Sequence, residues 1–250
     1  MAGKIKKLAY CVILIAALVS AVWGMPHSRK SGFTLQNSSS AAEQAPRECN
    51  FNMFTPNYAE EIGVLQGGSW PKFPIRVWID VSTVQDKDEM EGLKKGLRSW
   101  SNATGGVLGV SFTDNRMRSQ VEVKMVDSLP GGTRNLMLLG LSTIQTEGAV
   151  TTGVHLQIVH PSPEVLRVMG TLANVHLTSA LMTQRIAAHE MGHVLMGTAD
   201  RHPSSARAVL QQDNITVMLP SAIDVNTAKV KYCSLFSAYG APTSGGKPDN

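Results

Sequence analysis

The feature that most restricts this chain is the pentad His-Glu-Met-Gly-His at residues 189–193. The twelve residues before it are mostly good helix formers and include the apolar Leu181 and Ile186, so the pentad is predicted to lie on a helix. Residues four apart lie on the same side of an α-helix, so His189 and His193 can present two imidazole nitrogens to one ion, with Glu190 beside them. The spacing therefore predicts a metal site, and zinc is the ion typical of this pattern.

The residues after the pentad limit the choice of a third ligand. A catalytic zinc needs three protein ligands and one position left for water. No glutamate follows Glu190, which excludes a downstream glutamate, and the remaining candidates are Asp200, His202, Asp213, Asp224 and Asp249. Asp200 and His202 lie just beyond Gly197, which can adopt the left-handed conformation that ends a helix and turns the chain back. The residues alone leave these two open.

With HExxH, a glycine turn, a His or Asp and then Met218, the chain resembles the metzincin metallopeptidases, and most of all their matrixin-like branch. In that family the pattern is HExxHxxGxxH, or HExxHxxGxxD in the snapalysin group, followed by a methionine turn beneath the metal. Here Gly197 lies one residue late, with Met196 in the expected place, and the stretch from His202 to Met218 is longer than usual. One inserted residue makes Asp200 the third ligand, and three make it His202. We prefer His202 because neutral imidazole is the commoner zinc ligand in such sites.

The resemblance covers about residues 70–240 and implies both a fold and an activity. The implied fold is an α+β, metzincin-like catalytic domain with a mixed, twisted sheet of about five strands, three helices, and zinc in the cleft under an edge strand. Protein or peptide substrates are expected along the edge strand at residues 136–144, beside a pocket shaped by residues 221–226. The implied activity is that of a secreted zinc endopeptidase with zinc ligands His189, His193 and His202. In it Glu190 accepts a proton from water and passes it to the leaving amine.

Local patterns predict the same order of elements. Apolar residues alternate at Ile75, Val77 and Ile79, which predicts a first strand. An amphipathic pattern predicts a helix over residues 86–103. Further strands are predicted at residues 107–113, 121–126, 136–144 and 154–159, and a closing helix at residues 227–239.

The N-terminal end of the chain has the pattern of a targeting segment. Residues 1–24 carry Lys4, Lys6 and Lys7 and then an apolar run up to Trp23, which predicts a secretory signal peptide. The run is shorter than the roughly 20 apolar residues of a membrane span. Residues 25–47 indicate a flexible linker or short propeptide, residues 48–240 the catalytic domain, and residues 241–250 a disordered tail. We therefore expect a monomer, secreted or in the cell envelope, without stable membrane association after signal cleavage.

The net charge of +4 does not indicate a nucleic-acid partner. Residues 1–47 contain six Lys or Arg and one acidic residue, whereas residues 48–250 contain 17 basic and 18 acidic residues. The predicted domain is therefore close to neutral, which gives no support to a polyanionic partner.

Cysteine usage allows two interpretations. Cys11 lies in the predicted signal peptide, which leaves Cys49 and Cys233 as an even pair that predicts one disulfide in an oxidising compartment. The alternative comes from the resemblance. Cys49 ends a Pro-Arg-Glu-Cys segment that faintly resembles the propeptide thiol switch of matrixins, but it has an inserted glutamate and no following glycine.

Two other classes of function remain open at this stage. One is a catalytically degenerate, secreted zinc-binding protein of the same fold, suggested by the displaced Gly197. The other is a structural surface or envelope protein in which the pentad has arisen by chance. Zinc content and hydrolysis of an unfolded protein distinguish the three.

Overall fold

The predicted strands form one mixed sheet, seen in a computed structural model that describes residues 49–130, 139–198, 201–205, 207–212 and 216–239. The strands are β1 Ile75–Ile79, β2 Val110–Phe112, β3 Val121–Val126, β4 Gly140–Glu147 and β5 Val150–Val159. Their order across the sheet is β2-β1-β3-β5-β4, with β4 antiparallel to β5 and the other neighbours parallel. The coarse α+β prediction is confirmed. Residues 1–48 and 241–250, with the predicted signal peptide, linker and tail, lie outside the described residues.

Alternation of apolar residues explains the central strands. Ile75, Val77 and Ile79 are buried, and Arg76 and Trp78 between them are half-buried, as expected where one face of a sheet packs on a core. β3 follows the same pattern with Val121, Val123 and Met125 buried. These strands begin and end close to the predicted residues because the pattern that defines them is local.

β4 lies at one edge of the sheet and pairs with β5 alone among the strands. It runs from Gly140 to Glu147, so it ends three residues later than the predicted strand at residues 136–144, whose first three residues are outside the described part of the chain. A tight turn at Gly148, with φ +60°, joins it to β5 and pairs Glu147 with Val150. This hairpin also explains why β5 begins four residues before the predicted start.

The structure has five α-helices within its described residues, where three were predicted. They are α1 Lys87–Ala103, α2 Pro163–Ala173, α3 Ser179–Met196, α4 Ala222–Lys231 and α5 Cys233–Tyr239. α2 was missed, although Ser162 caps its first turn, Pro163 follows the cap, and Asn174 ends it in the left-handed conformation. The closing helix starts at Ala222, five residues before the predicted start, and is divided at Tyr232, so residues 221–226 form its cap and first turn. That these residues shape a substrate pocket stays a prediction.

α1 packs closely against α3, the helix that carries the pentad. Gly92 and Gly96 face α3, where an added Cβ would overlap the backbone at Ala180 and Gln184. One turn later the indole nitrogen of Trp100 donates a hydrogen bond of 2.8 Å to the Ala188 carbonyl, and the Trp100 ring is completely buried. The two glycines therefore allow a helix contact that holds the middle of α3 against the core.

The segment from Cys49 to Trp70 is tied to the C-terminal helices. Cys49 and Cys233 form the predicted disulfide, which leaves no free Cys49 thiol for the alternative of a thiol switch. The Lys231 ammonium donates to the carbonyls of Val64 at 2.8 Å and Gly67 at 3.1 Å. Burial lowers the pKa of Lys231 to about 8. No helix within the described residues is long and apolar enough to cross a membrane.

Candidate metal centre

α3 places His189 and His193 on one face. The Thr178 side chain caps the helix by accepting from the Leu181 amide at 3.2 Å, and Gly197 ends it with φ +64°. The 18 residues between these ends form regular helix, so residues four apart lie one above the other. As a result the Nε2 atoms of His189 and His193 are 3.1 Å apart.

The turn after Gly197 brings a third histidine to the same point. The Nε2 atom of His202 lies 3.2 Å from that of His189 and 3.3 Å from that of His193. The three imidazoles are close enough to hold one metal ion. Asp200, the other candidate for the third ligand, lies outside the described residues. Of the two candidates, the structure thus brings His202 to the site.

The surroundings of His189 and His193 favour the neutral form of both imidazole rings, which is the form that binds a metal ion. Nδ1 of His189 lies 2.9 Å from the Val209 carbonyl oxygen, which can only accept, so Nδ1 carries the proton and Nε2 presents a lone pair. Burial lowers the pKa of His189 well below its ordinary value, and the nearby His193 and Arg185 lower it further. Burial, with His202 and Arg185, lowers the pKa of His193 to about 3.

Glu190 lies between α3 and the edge strand. Its side chain is 6% exposed, and the backbone of Gly140, at the start of β4, packs directly against its carboxyl group. A Cβ on residue 140 would overlap that group, so glycine allows β4 to approach Glu190 without displacing its side chain. Burial raises the pKa of Glu190 to about 8, while the positive charge of Arg185 acts in the opposite direction.

Long-range hydrogen bonds hold the C-terminal end of α3, from which the chain turns to His202. The last carbonyls of a helix have no partner within it. Here the Trp70 indole nitrogen donates to the Val194 carbonyl at 2.9 Å, and the Tyr232 hydroxyl donates to the Leu195 carbonyl at 2.8 Å. These bonds fix the direction in which the chain leaves the helix.

Gly197 occupies a position that no other residue fits. It has the left-handed conformation, and its α-carbon faces the Gly68 backbone, where a Cβ would overlap the carbonyl oxygen. The glycine that appeared one residue late in the sequence is therefore the one that ends α3 and lets residues 67–68 cross over it.

Replacing Gly197 by alanine is expected to lower the free energy of unfolding by about 2–4 kcal/mol. About 1–2 kcal/mol comes from the left-handed backbone and the rest from the overlap with Gly68. Gly148→Ala is the matched control, because Gly148 has φ +60° with nothing within 4 Å of an added Cβ. Urea unfolding of both variants measures the difference, and equal losses would contradict the close contact with Gly68.

Three residues around the site were not predicted from the sequence. They are Val209, which accepts a hydrogen bond from His189, Arg185, whose charge acts on Glu190, and Gly140, whose backbone lies against Glu190. None of them lies at a spacing from the pentad that would indicate its role. Met218 is half-buried before α4, and its place beneath the metal remains a prediction. Asp224, a candidate ligand in the sequence, is completely buried and lies outside the histidine group.

No protein-family model matches the chain, and no curated protein matches it by sequence.

Proposed function

We propose that this chain is a secreted zinc endopeptidase that hydrolyses peptide bonds in unfolded or extended polypeptides. The observation that carries the proposal is the convergence of three Nε2 atoms within 3.3 Å of one another. The buried Glu190 directly follows the first of these histidines in sequence. Membership of the metzincin metallopeptidases, drawn from the residue pattern, is part of the same proposal.

The ligand set favours zinc. Tetrahedral zinc with Zn–N bonds of about 2.0–2.1 Å places its ligand atoms about 3.3–3.4 Å apart. The separations here, 3.1, 3.2 and 3.3 Å, are close to that spacing. The His189–Val209 hydrogen bond is the type of outer contact that orients a zinc-binding imidazole. Three histidine ligands leave a fourth position for water or substrate, as catalytic zinc sites require.

Catalysis needs one residue that moves a proton and does not bind the metal. Zinc, when bound, supplies a Lewis acid that polarises a peptide carbonyl and makes water acidic near neutral pH. Glu190 follows the first ligand in sequence, and its carboxyl group, in the deprotonated form, accepts the proton from the attacking water. The same carboxyl group then donates the proton to the amine that leaves. On the β4 side, the backbone of Gly140 lies against this carboxyl group and limits the space around it.

The edge strand supports a polypeptide substrate. One side of β4 pairs with β5, and the backbone groups of the other side can bind an extended peptide by main-chain hydrogen bonds. Because Gly140 of this strand lies against Glu190, a peptide added along β4 passes next to the proposed base. Recognition by backbone depends little on sequence, so an unfolded protein such as casein is a suitable first substrate. The Cys49–Cys233 disulfide fits the proposed secretion.

Removal of the metal tests this proposal. We expect the full chain to contain about one zinc per molecule and to cleave casein, to lose cleavage after 1,10-phenanthroline and dialysis, and to regain it with added zinc. Zinc content is measured by elemental analysis on the same samples as cleavage. One bound zinc without cleavage would instead favour a non-catalytic zinc-binding protein. A protein that binds no zinc would contradict the metal site itself.

A further inference from the structure

A buried carboxyl group lies behind the metal centre and is not used by the proposed reaction. Asp224 is completely buried at the start of α4. Its oxygens accept hydrogen bonds from the Tyr58 hydroxyl at 2.6 Å, the Val209 amide at 2.9 Å, and both the amide and the hydroxyl of Ser221 at 2.8 Å. We call these four residues the Asp224 network. A buried carboxyl group with this many donors is held in one orientation.

Val209 connects this network to the metal centre. Its amide donates to Asp224, and its carbonyl oxygen accepts from Nδ1 of His189 at 2.9 Å. Val209 is itself completely buried, so no solvent competes for either bond. The position of the Val209 carbonyl sets the rotation of the His189 ring, and Asp224 sets the position of Val209.

Tyr58 brings a distant part of the chain into this network. It lies nine residues after Cys49, in the segment that the disulfide ties to α5. Its amide donates to the Thr227 hydroxyl at 3.1 Å, and its own hydroxyl makes the shortest hydrogen bond to Asp224. Burial and the neighbouring Asp224 keep the pKa of Tyr58 well above its ordinary value, so the hydroxyl remains the donor.

We infer that Asp224 is a positioning residue for His189, acting through Val209, and that Tyr58 completes its orientation. The N-terminal segment around Tyr58 therefore controls metal affinity as well as stability. This inference rests on the proposed metal site and extends it, because it names the contacts that hold the first ligand. Outer contacts of metal-binding histidines affect affinity by about 10–100-fold when they are removed.

The test compares two single changes in the full chain. Tyr58→Phe removes the hydroxyl that donates to Asp224, whereas Thr227→Val removes the hydroxyl that accepts from the Tyr58 backbone amide and leaves the four bonds to Asp224. We expect Tyr58→Phe to weaken zinc binding about tenfold, the lower end of the range for such contacts, and Thr227→Val to change it less than twofold. Competition with a chromophoric chelator gives the affinities, and urea unfolding of the metal-free proteins gives their stabilities.

A second measurement reports the ligand geometry directly. Co²⁺ binds the same kinds of ligand as zinc, and its visible absorption depends on how they are arranged. We expect Tyr58→Phe to change the Co²⁺ spectrum and Thr227→Val to leave it as in the wild type. Asp224→Asn, which places an amide group among the donors, is expected to change it further.

The outcomes separate this inference from the proposed function. If Tyr58→Phe and Thr227→Val lose similar stability and both keep wild-type zinc affinity and Co²⁺ spectrum, Tyr58 is only structural and the inference is overturned. A wild-type chain that binds neither ion would overturn the proposed metal site instead. Neither readout depends on peptide hydrolysis, so an inactive chain that binds zinc still tests the inference.

Discussion

Replacing Glu190 by glutamine is expected to reduce the rate of casein cleavage by about two to four orders of magnitude while zinc content stays at one ion per molecule. General acid–base catalysis by a single positioned side chain contributes about 10²–10⁴-fold. Glutamine has nearly the same size and fits against Gly140, but it cannot accept the proton from water. The loss should therefore appear in the maximal rate of cleavage and not in metal affinity. Parallel measurements of the initial rate and zinc content test both parts.

Two further variants make this result specific. Glu164→Gln applies the same substitution to an exposed residue in the first turn of α2 and should leave both the rate and the zinc content unchanged. Glu190→Ala should lose activity as Glu190→Gln does, because both lack the carboxyl group. Cleavage by either Glu190 variant at more than a tenth of the wild-type rate would show that another group moves the proton.

The part of the site that could be predicted from the sequence is the part that a helix determines by itself. His189, Glu190 and His193 are related by helical spacing, which needs no tertiary information. His202 needs more, because its position depends on how the chain leaves α3. That direction is fixed by Trp70 and Tyr232, which are 124 and 37 residues away from the carbonyls that they contact. The sequence therefore left Asp200 and His202 both open.

The fold shows the same division between local and distant causes. Alternation in β1 and β3 is local, and both strands lie where the pattern predicts. The start of α4 depends on Asp224, whose burial requires donors from Tyr58, 166 residues earlier, and Val209, 15 residues earlier. α2 had clear end signals in Ser162, Pro163 and Asn174, and its apolar residues recur at helical spacing, with Val165 and Met169 buried one turn apart. Both signals are local, so this helix could have been predicted from the sequence.

The contact between Gly140 and Glu190 illustrates what spacing cannot reveal. Glycine inside a predicted strand usually indicates a bend or a weak strand. Here its missing side chain makes room for a carboxyl group that lies 50 positions later in the chain. Only the packing of β4 on α3 gives this residue its role beside the proposed base.

Replacing His202 by alanine is expected to weaken zinc binding by a hundredfold or more, whereas Asp200→Ala should change it little. Zinc sites with four protein ligands bind with about 10–16 kcal/mol, or roughly 3 kcal/mol per ligand, and about 1.4 kcal/mol corresponds to a factor of ten. His202 supplies one of three converging Nε2 atoms and lies outside the helices and strands, so we expect the metal-free variant to unfold at nearly the same urea concentration as the metal-free wild type. Equilibrium competition for zinc and urea unfolding in excess chelator separate the two effects. Loss of zinc in Asp200→Ala, with His202→Ala unaffected, would assign the third ligand to Asp200 and mean that the three histidines converge without sharing an ion.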